Sequence, residues 1–407
     1  MMLRAFVGAC LLSTSVFVQA AFASDARSMQ VVVSKSEQSL SLYEGGELVA
    51  TSKVSTGKPG HDTPSGIFSI LDKRKYHESN IYSAAPMPFM QRLTWSGIAL
   101  HEGHVPNYPA SHGCIRLPSK FAKSLYGTTS RGVHVIVSDA DVALRRIDHP
   151  ALLQPNNGGG QFLSDIELRP ANFDASLKLV EVAVNETTNS VPTATPKKDN
   201  APQRILITRR GEREKIMDVQ RLLTRLGFDA GVPDGHVGQM TIGAVNSYKR
   251  WKDMKTTGPL VTDAFLDALY ISAGEDAPPN GQLMVRQNFK PLFEAPIHFK
   301  DPHIALGTHF FEVIDIKGGR AEWNGLTLEN HLPAAARRRL GIGVADAPLG
   351  GDQLSAVLDR IDIPKDVRER LEDELSVGSS ITVSDLSHGL ETGQGTDFIT
   401  ITRDTAL

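Results

Sequence analysis

The chain has 407 residues, of which 41% are hydrophobic and 22% charged, and a formal net charge of -3. Such a length exceeds one ordinary core, so two to four domains are expected. The small net charge argues against nucleic acid or an anionic membrane surface as the main partner, and past the N-terminus no apolar run is long enough to span a bilayer.

Residues 1–23 read as a secretory signal peptide. Arg4 supplies a positive start, the stretch from Ala5 to Val18 is apolar or small, and Ala21-Phe22-Ala23 fits the small-x-small rule, with cleavage before Ser24. A lipoprotein signal at Cys10 would leave the hydrophobic region too short. The expected location is therefore the periplasm or cell envelope. Of the two cysteines, Cys10 and Cys114, cleavage removes the first. The remaining lone thiol lies in an oxidising compartment where cysteines usually come in pairs. It is either an inert packed residue or a reactive one, and its neighbours decide which.

Residues 28–140 read as β-rich. Val31-Val32-Val33 is a strand candidate, Leu40 and Leu42 alternate with serines, and Gly45-Gly46 offers a two-residue hairpin turn. Val133 to Val137 closes the region. Residues 141–205 are expected to be a linker, partly disordered, because 184–203 is rich in Asn, Thr, Pro and Lys. In 206–275, Ile216, Val219, Leu222, Leu223 and Leu226 share a helical face that Gly227 ends. A second helix follows at Ile242, Val245, Tyr248 and Trp251, and a third at Phe265, Leu266 and Leu269, capped by Thr262.

An internal echo links two distant segments. Pro118–Asp139 and Pro364–Asp385 align without gaps, sharing Leu125/Leu371, Ser130/Ser376, Gly132/Gly378 and a closing Val-Ser-Asp. Upstream, Trp95–Leu100 parallels Trp323–Leu328. Residues 284–404 are accordingly expected to form a β-rich, degenerate second copy of the first domain. Glu329 would stand opposite His101 and Arg360 opposite Cys114, so that copy could not perform thiol chemistry.

The chemistry concentrates in His101-Glu102-Gly103-His104, Tyr108 and Ser111-His112-Gly113-Cys114-Ile115-Arg116. A thiol needs a nearby imidazole to take its proton. Gly113 permits close backbone approach, so N–H groups from His112 to Cys114 are candidates for an oxyanion site, and Arg116 suits a carboxylate. The histidines and Cys114 do not have the spacing of a standard zinc site, and Pro106 and Pro109 break any helix that would align the first pair. No metal and no cofactor is expected.

Ser-His-Gly-Cys followed by an aliphatic residue and Arg, with an upstream His ending a strand, resembles the signature of the L,D-transpeptidase catalytic domain (YkuD) family. Ser55-Thr56-Gly57-Lys58 and Thr63-Pro64-Ser65-Gly66-Ile67-Phe68 also resemble that family. The helical segment resembles the peptidoglycan-binding domain appended to cell-wall enzymes, through Val219-Gln220, Leu226-Gly227-Phe228, Gly231, Asp234-Gly235, Gly238 and Thr241. The resemblance implies a mainly β, sandwich-like catalytic domain. It implies Cys114 as nucleophile, His101 as general base, the Glu102 carbonyl as the group orienting His101, and His112 as a site-shaping neighbour. Gly113 would serve the oxyanion, with Arg116, Ser111 and Tyr108 on the substrate. It further implies peptidoglycan stem peptides and glycan as partners, envelope proteins as alternative amine acceptors, and acylation of the thiol by carbapenems. Two other readings stay open: an L,D-carboxypeptidase or hydrolase with water as acceptor, and a non-catalytic wall-binding scaffold.

Overall fold

A computed structural model describes residues 27–79, 84–156, 201–343 and 352–402. The signal peptide, Cys10 and residues 157–200 of the expected linker lie outside them.

The first half builds β1 (Met29–Ser34), β2 (Ser39–Glu44), β3 (Glu47–Lys53), β4 (Gly66–Ser69), β5 (Asp72–Arg74), β6 (Met90–Arg92), β7 (Ala99–Glu102), β8 (Ile115–Leu117), α1 (Ser119–Thr128) and β9 (His134–Ser138). The main sheet runs β4-β9-β1-β2-β3, and a smaller one β5-β6-β7-β8. β1 pairs with β9 in parallel, Val31 beside Val135. Parallel strands covered on both faces become continuous apolar runs, and Val31, Val32 and Val33 are all buried. Gly45 and Gly46, with φ of +58° and +84°, form the two-residue turn between β2 and β3. Both values suit the twist of a tight hairpin and favour glycine.

Residues 141–156, expected as linker, instead fold onto the second half. β10 (Arg145–Ile147) pairs with a strand there, and Leu152 and Leu153 enter its core. Apolar side chains in a run without helical or strand periodicity gave no sign of this docking.

The second half also begins earlier than expected, at β11 (Gln203–Arg209), not near residue 284. Three helices follow: α2 (Glu212–Arg225), α3 (Gln239–Trp251) and α4 (Asp263–Ala273). Their apolar faces share one core with Tyr248 and Phe265 at its centre. Gly227 has φ +90°, and Thr262 accepts the Phe265 N–H at 3.2 Å as an N-cap. Then come β12 (Gly281–Gln287), β13 (Lys290–Phe299), β14 (Thr308–Lys317), β15 (Arg320–Leu328), α5 (Ala334–Arg339), α6 (Gln353–Leu358), β16 (Ile361–Asp362), α7 (Lys365–Asp373), β17 (Ser380–Ser384) and β18 (Thr400–Ile401).

The strand order β14-β17-β11-β12-β13 repeats β4-β9-β1-β2-β3. The repeat extends to register. Ile205 lies beside Ile381 as Val31 does beside Val135, again in parallel. A bulge between Leu42 and Tyr43 recurs between Val285 and Arg286, and the Gly45-Gly46 turn recurs as Asn288-Phe289, with φ +50° and +62°. The Lys35–Asp139 ion pair recurs as Arg209–Asp385, both at 2.7 Å. Pro118 and Pro364 both open a helix, and Gly132 and Gly378 both take positive φ. The two differ at the first hairpin: four residues join β1 to β2, whereas the whole helical module stands between β11 and β12.

The upstream part of the echo is not kept. Trp95 lies in the turn between β6 and β7 and is half exposed, while Trp323 is buried inside β15 and donates its indole N–H to Leu153 O. Glu329 follows the end of β15 and stands beside His331, at 3.2 Å, so it does not occupy a position equivalent to His101.

The halves exchange their C-terminal segments. Residues 145–156 complete the second half, and the segment after β17 returns to the first, where β18 pairs with β4 and Ile399 enters the core. Between the sheets, Val32, Ile67 and Ile136 pack on Phe310, Leu326 and Leu328. His134, wholly buried there, contacts the Glu312 carboxylate at 2.8 Å.

Candidate active site

β7 and β8 lie parallel, with Leu100 beside Ile115 and His101 beside Arg116. Side chains alternate across a strand. Leu100, Ile115 and Leu117 point into the core of the first half with no exposure. The opposite face therefore receives Ala99, His101, Arg116 and, one residue before β8, Cys114. A cavity of about 560 Å³ opens on that face, and Cys114, His101, Arg116, Ser111, His112 and Gly113 all line it.

The loop carrying the thiol is held by the two upstream motifs. Thr56 O accepts N–H bonds from both Ala110 and Ser111, at 3.0 Å each. Thr63 Oγ1 accepts the Gly57 N–H at 2.9 Å and donates to Gly113 O at 2.8 Å. A Cβ on Gly57 would lie 1.9 Å from His61 O, so only glycine fits there. Gly113 has φ +110°, and a Cβ on it would meet Ile98 at 2.9 Å. Gly103 lets the Arg116 side chain lie across it, with Cγ and Cδ both 3.0 Å from a notional Cβ.

His101 is buried, and its Nδ1 lies 2.7 Å from Glu102 O. That carbonyl can only accept, so Nδ1 carries the proton and Nε2 remains the basic nitrogen. Burial pulls the His101 pKa down to about 4, against the opposing carbonyl bond. Burial pushes the Cys114 thiol up, offset by the Ala99 backbone N–H and then by Arg116 and Arg92. Near neutral pH the pair is thus an uncharged imidazole and a protonated thiol. The thiol donates to Gly97 O at 3.3 Å.

Other expected residues are placed differently. The Gly113 N–H donates to Ser111 Oγ at 3.1 Å, and that hydroxyl donates to Cys114 O at 2.5 Å, so both are engaged inside the loop. His112 is exposed at the cavity mouth, edge-on to His61 at 4.7 Å between ring centroids. Tyr108 lies outside the lining; its side chain is exposed, and its carbonyl accepts the Ser55 hydroxyl at 2.8 Å. The cavity also draws on His61, Asp62, His77 and Arg92, which sequence reasoning missed. For Arg92 a signal existed: it stands two residues beyond buried Met90 on β6, and so on the same face, which Ala99 and Cys114 share. His61 and His77 lie in irregular segments, where no periodicity reports direction.

Residues 28–137 match the family model of the L,D-transpeptidase catalytic domain (YkuD). That match covers little more than a quarter of the chain. Residues 212–269 match the model of a peptidoglycan binding domain. Among curated proteins nothing matches the chain. Solved structures similar to it include an L,D-transpeptidase from Mycobacterium smegmatis, at 24% identity over 27% of this chain and 58% of that one, with a TM-score of 0.26. One from Stackebrandtia nassauensis has 27% identity over 29% and 60%, TM-score 0.26. One from Xylanimonas cellulosilytica has 25% identity over 28% and 61%, TM-score 0.26. This chain thus spans about three fifths of the length of the L,D-transpeptidases it matches there.

Proposed function

We propose that the protein is an exported L,D-transpeptidase that acts on peptidoglycan stem peptides through Cys114. The observation that carries this reading is the common face of β7 and β8, where the thiol, the His101 imidazole and the Arg116 guanidinium line one cavity. A neutral imidazole with Nδ1–H committed to Glu102 O acts as general base, not as half of a preformed ion pair. Nε2 takes the thiol proton as Sγ attacks the carbonyl of the third stem residue, a diamino acid. The bond from that carbonyl to the terminal D-Ala nitrogen then breaks, the leaving amine takes the proton back from His101, and a thioester remains. An amine, from a second stem or an envelope protein, attacks the thioester and releases Cys114 as thiol.

Arg116 holds a stem carboxylate in this scheme. The Gly113 N–H would serve the oxyanion only after leaving Ser111 Oγ, a rearrangement that substrate binding would have to drive. His112 and the exposed Tyr108 would border the entering stem. The helical module holds the enzyme to the wall, in the periplasm, and the C-terminal half is a catalytically empty copy of the first. Intact mass of the wild type and of Cys114→Ala, each treated with a tetrapeptide stem and a carbapenem, tests the reading. The expected result is an adduct on the wild type alone. No adduct with either reagent would replace the enzyme by a wall-binding scaffold, and tripeptide without crosslinked product would replace transfer by hydrolysis.

A further inference from the structure

The segment after β17 does more than lend an edge strand to the first half. Glu391 Oε2 accepts the backbone N–H groups of Trp95 and Ser96, the latter at 3.1 Å. Those two residues open the turn between β6 and β7, and the next residue, Gly97, is the one whose carbonyl receives the Cys114 thiol. From inside, the turn is tied by Thr94, whose Oγ1 accepts the Ile98 N–H at 3.0 Å. From outside, Glu391 ties it. Gly97 itself has φ +115°, a conformation that leaves the direction of its carbonyl dependent on its neighbours.

The segment bearing Glu391 is anchored to both halves. Arg131 of the first half donates to Gly395 O at 2.7 Å, and Arg286 of the second donates to Thr396 O at 3.1 Å. Gly389 N–H closes the loop onto Ile399 O at 2.7 Å. Beyond it, β18 runs so near β4 that a Cβ on Gly66 would lie 2.1 Å from Thr400 O. Glu391 is thus presented by a segment with fixed ends, not by a free tail.

We propose that Glu391 is a positioning residue for Cys114: by holding the Trp95–Gly97 turn, the C-terminal half fixes the carbonyl that orients the nucleophilic thiol. The effect rests on the thiol-nucleophile reading above. It gives the catalytically empty half a direct part in the reaction, since a nucleophile displaced by a fraction of an ångström reacts more slowly even when substrate still binds. A carboxylate oxygen and a glutamine amide oxygen can both accept two N–H bonds, whereas alanine offers none.

The test uses the full chain with Glu391→Ala and Glu391→Gln, measuring tetrapeptide kcat and KM, melting temperature, and the pH dependence of iodoacetamide labelling at Cys114 followed by peptide mass. For Glu391→Ala, kcat should fall about tenfold with KM within about twofold. Its labelling midpoint should move to lower pH by about half a unit, because a thiol freed from an acceptor ionises more easily. Glu391→Gln should keep more than about a third of kcat. Wild-type kcat and midpoint in Glu391→Ala would overturn the proposal. So would an equal loss in both variants, which would point to charge alone, or an unfolded Glu391→Ala, which would make the residue purely structural. If the wild type neither turns over nor forms an acyl-enzyme, it is the transpeptidase reading that fails, and the labelling profiles still decide the role of Glu391.

Discussion

The sheet β4-β9-β1-β2-β3 and its counterpart β14-β17-β11-β12-β13 share strand order, parallel pairing, a bulge and a hairpin turn. Their cores correspond side chain for side chain: Val31, Val33, Leu40, Leu42, Phe68 and Leu125 in one, Ile205, Ile207, Leu283, Val285, Phe311 and Leu371 in the other. They part at the edge that lines the cavity. In the first half β8 lies beside β7, which brings His101 to Cys114. In the second, β16 is an edge strand, and among the described residues no strand stands where β7 would. Asp362 pairs with His298 as Arg116 bridges to Ser55, which puts Arg360 at the place of Cys114. Arg360 donates to the carbonyls of Lys300, Asp301, Ile304 and Ala305. One sheet plan thus recurs with a guanidinium that ties down the neighbouring loop standing where the first half has its thiol.

The strongest way to break this comparison is to exchange the reactive positions. Cys114→Ala should abolish carbapenem and stem adducts, a loss of at least about 10⁴-fold. Arg360→Cys in that background should restore none, because His309, the imidazole whose charge reaches Arg360, has both ring nitrogens engaged by Leu306 O and Thr327 Oγ1, and the thiol would replace four loop contacts. Intact mass spectrometry reads both, and an adduct at the new cysteine would show that the second half retains a working site.

Acid exposes a likeness between the halves. Burial holds His101 in the first and His309 in the second down to about 4. In the unfolded chain both return to near 6.5, so between pH 6.5 and 4 only the unfolded state takes up their protons. Their stabilisation is complete above pH 6.5 and is lost as pH falls toward 4, by roughly 3 kcal/mol each. Urea denaturation at pH 7.5 and 4.5 should show the decline. His309→Gln should flatten part of it and leave labelling of Cys114 unchanged, while His101→Gln should affect both. Equal stability at the two pH values would contradict these burial effects.

Much of the site was legible because its parts are local: a glycine with positive φ, a histidine at a strand end, and a cysteine one residue before another strand leave marks within a few positions. The helical module was legible for the same reason, through the single apolar face of α2 and the Thr262 cap. What escaped depends on pairing across long separations. No periodicity announces that Gln203–Arg209 is the first strand of the second sheet when its hairpin partner begins at Gly281. Nor does it announce that Ile399 belongs to the core of the first half. The Trp-x-Gly echo misled because like residues serve a turn in one half and a strand interior in the other.

Ile399→Ala tests the exchange of segments. Removing a fully buried branched side chain costs about 2–5 kcal/mol, depending on how far the site collapses. Because Ile399 packs among first-half residues, the loss should appear there: hydrogen exchange at β4 and β9 should speed up more than at β12 and β13. Uniform acceleration would mean that the halves unfold as one cooperative unit.

The smallest effect is expected where the two halves look least alike. Arg209 and Gly281 face each other as a strand pair, so the helical module enters and leaves the second sheet at neighbouring points, as an insertion at a hairpin tip does. A folded insert with its own core brings its ends together without the closure entropy of a long coil. Replacing residues 210–280 by the four-residue turn that joins β1 to β2 should therefore change the stability of the remaining sheets by only about 1 kcal/mol. The trimmed chain loses the Arg210–Asp218 ion pair at 2.6 Å, but both of its partners leave together, so no charge is stranded. It should fold, label at Cys114 at the wild-type rate, and no longer sediment with purified peptidoglycan. If it fails to fold, the module is a structural part of the second half, and the hairpin correspondence between β1-β2 and β11-β12 does not extend to their energetics.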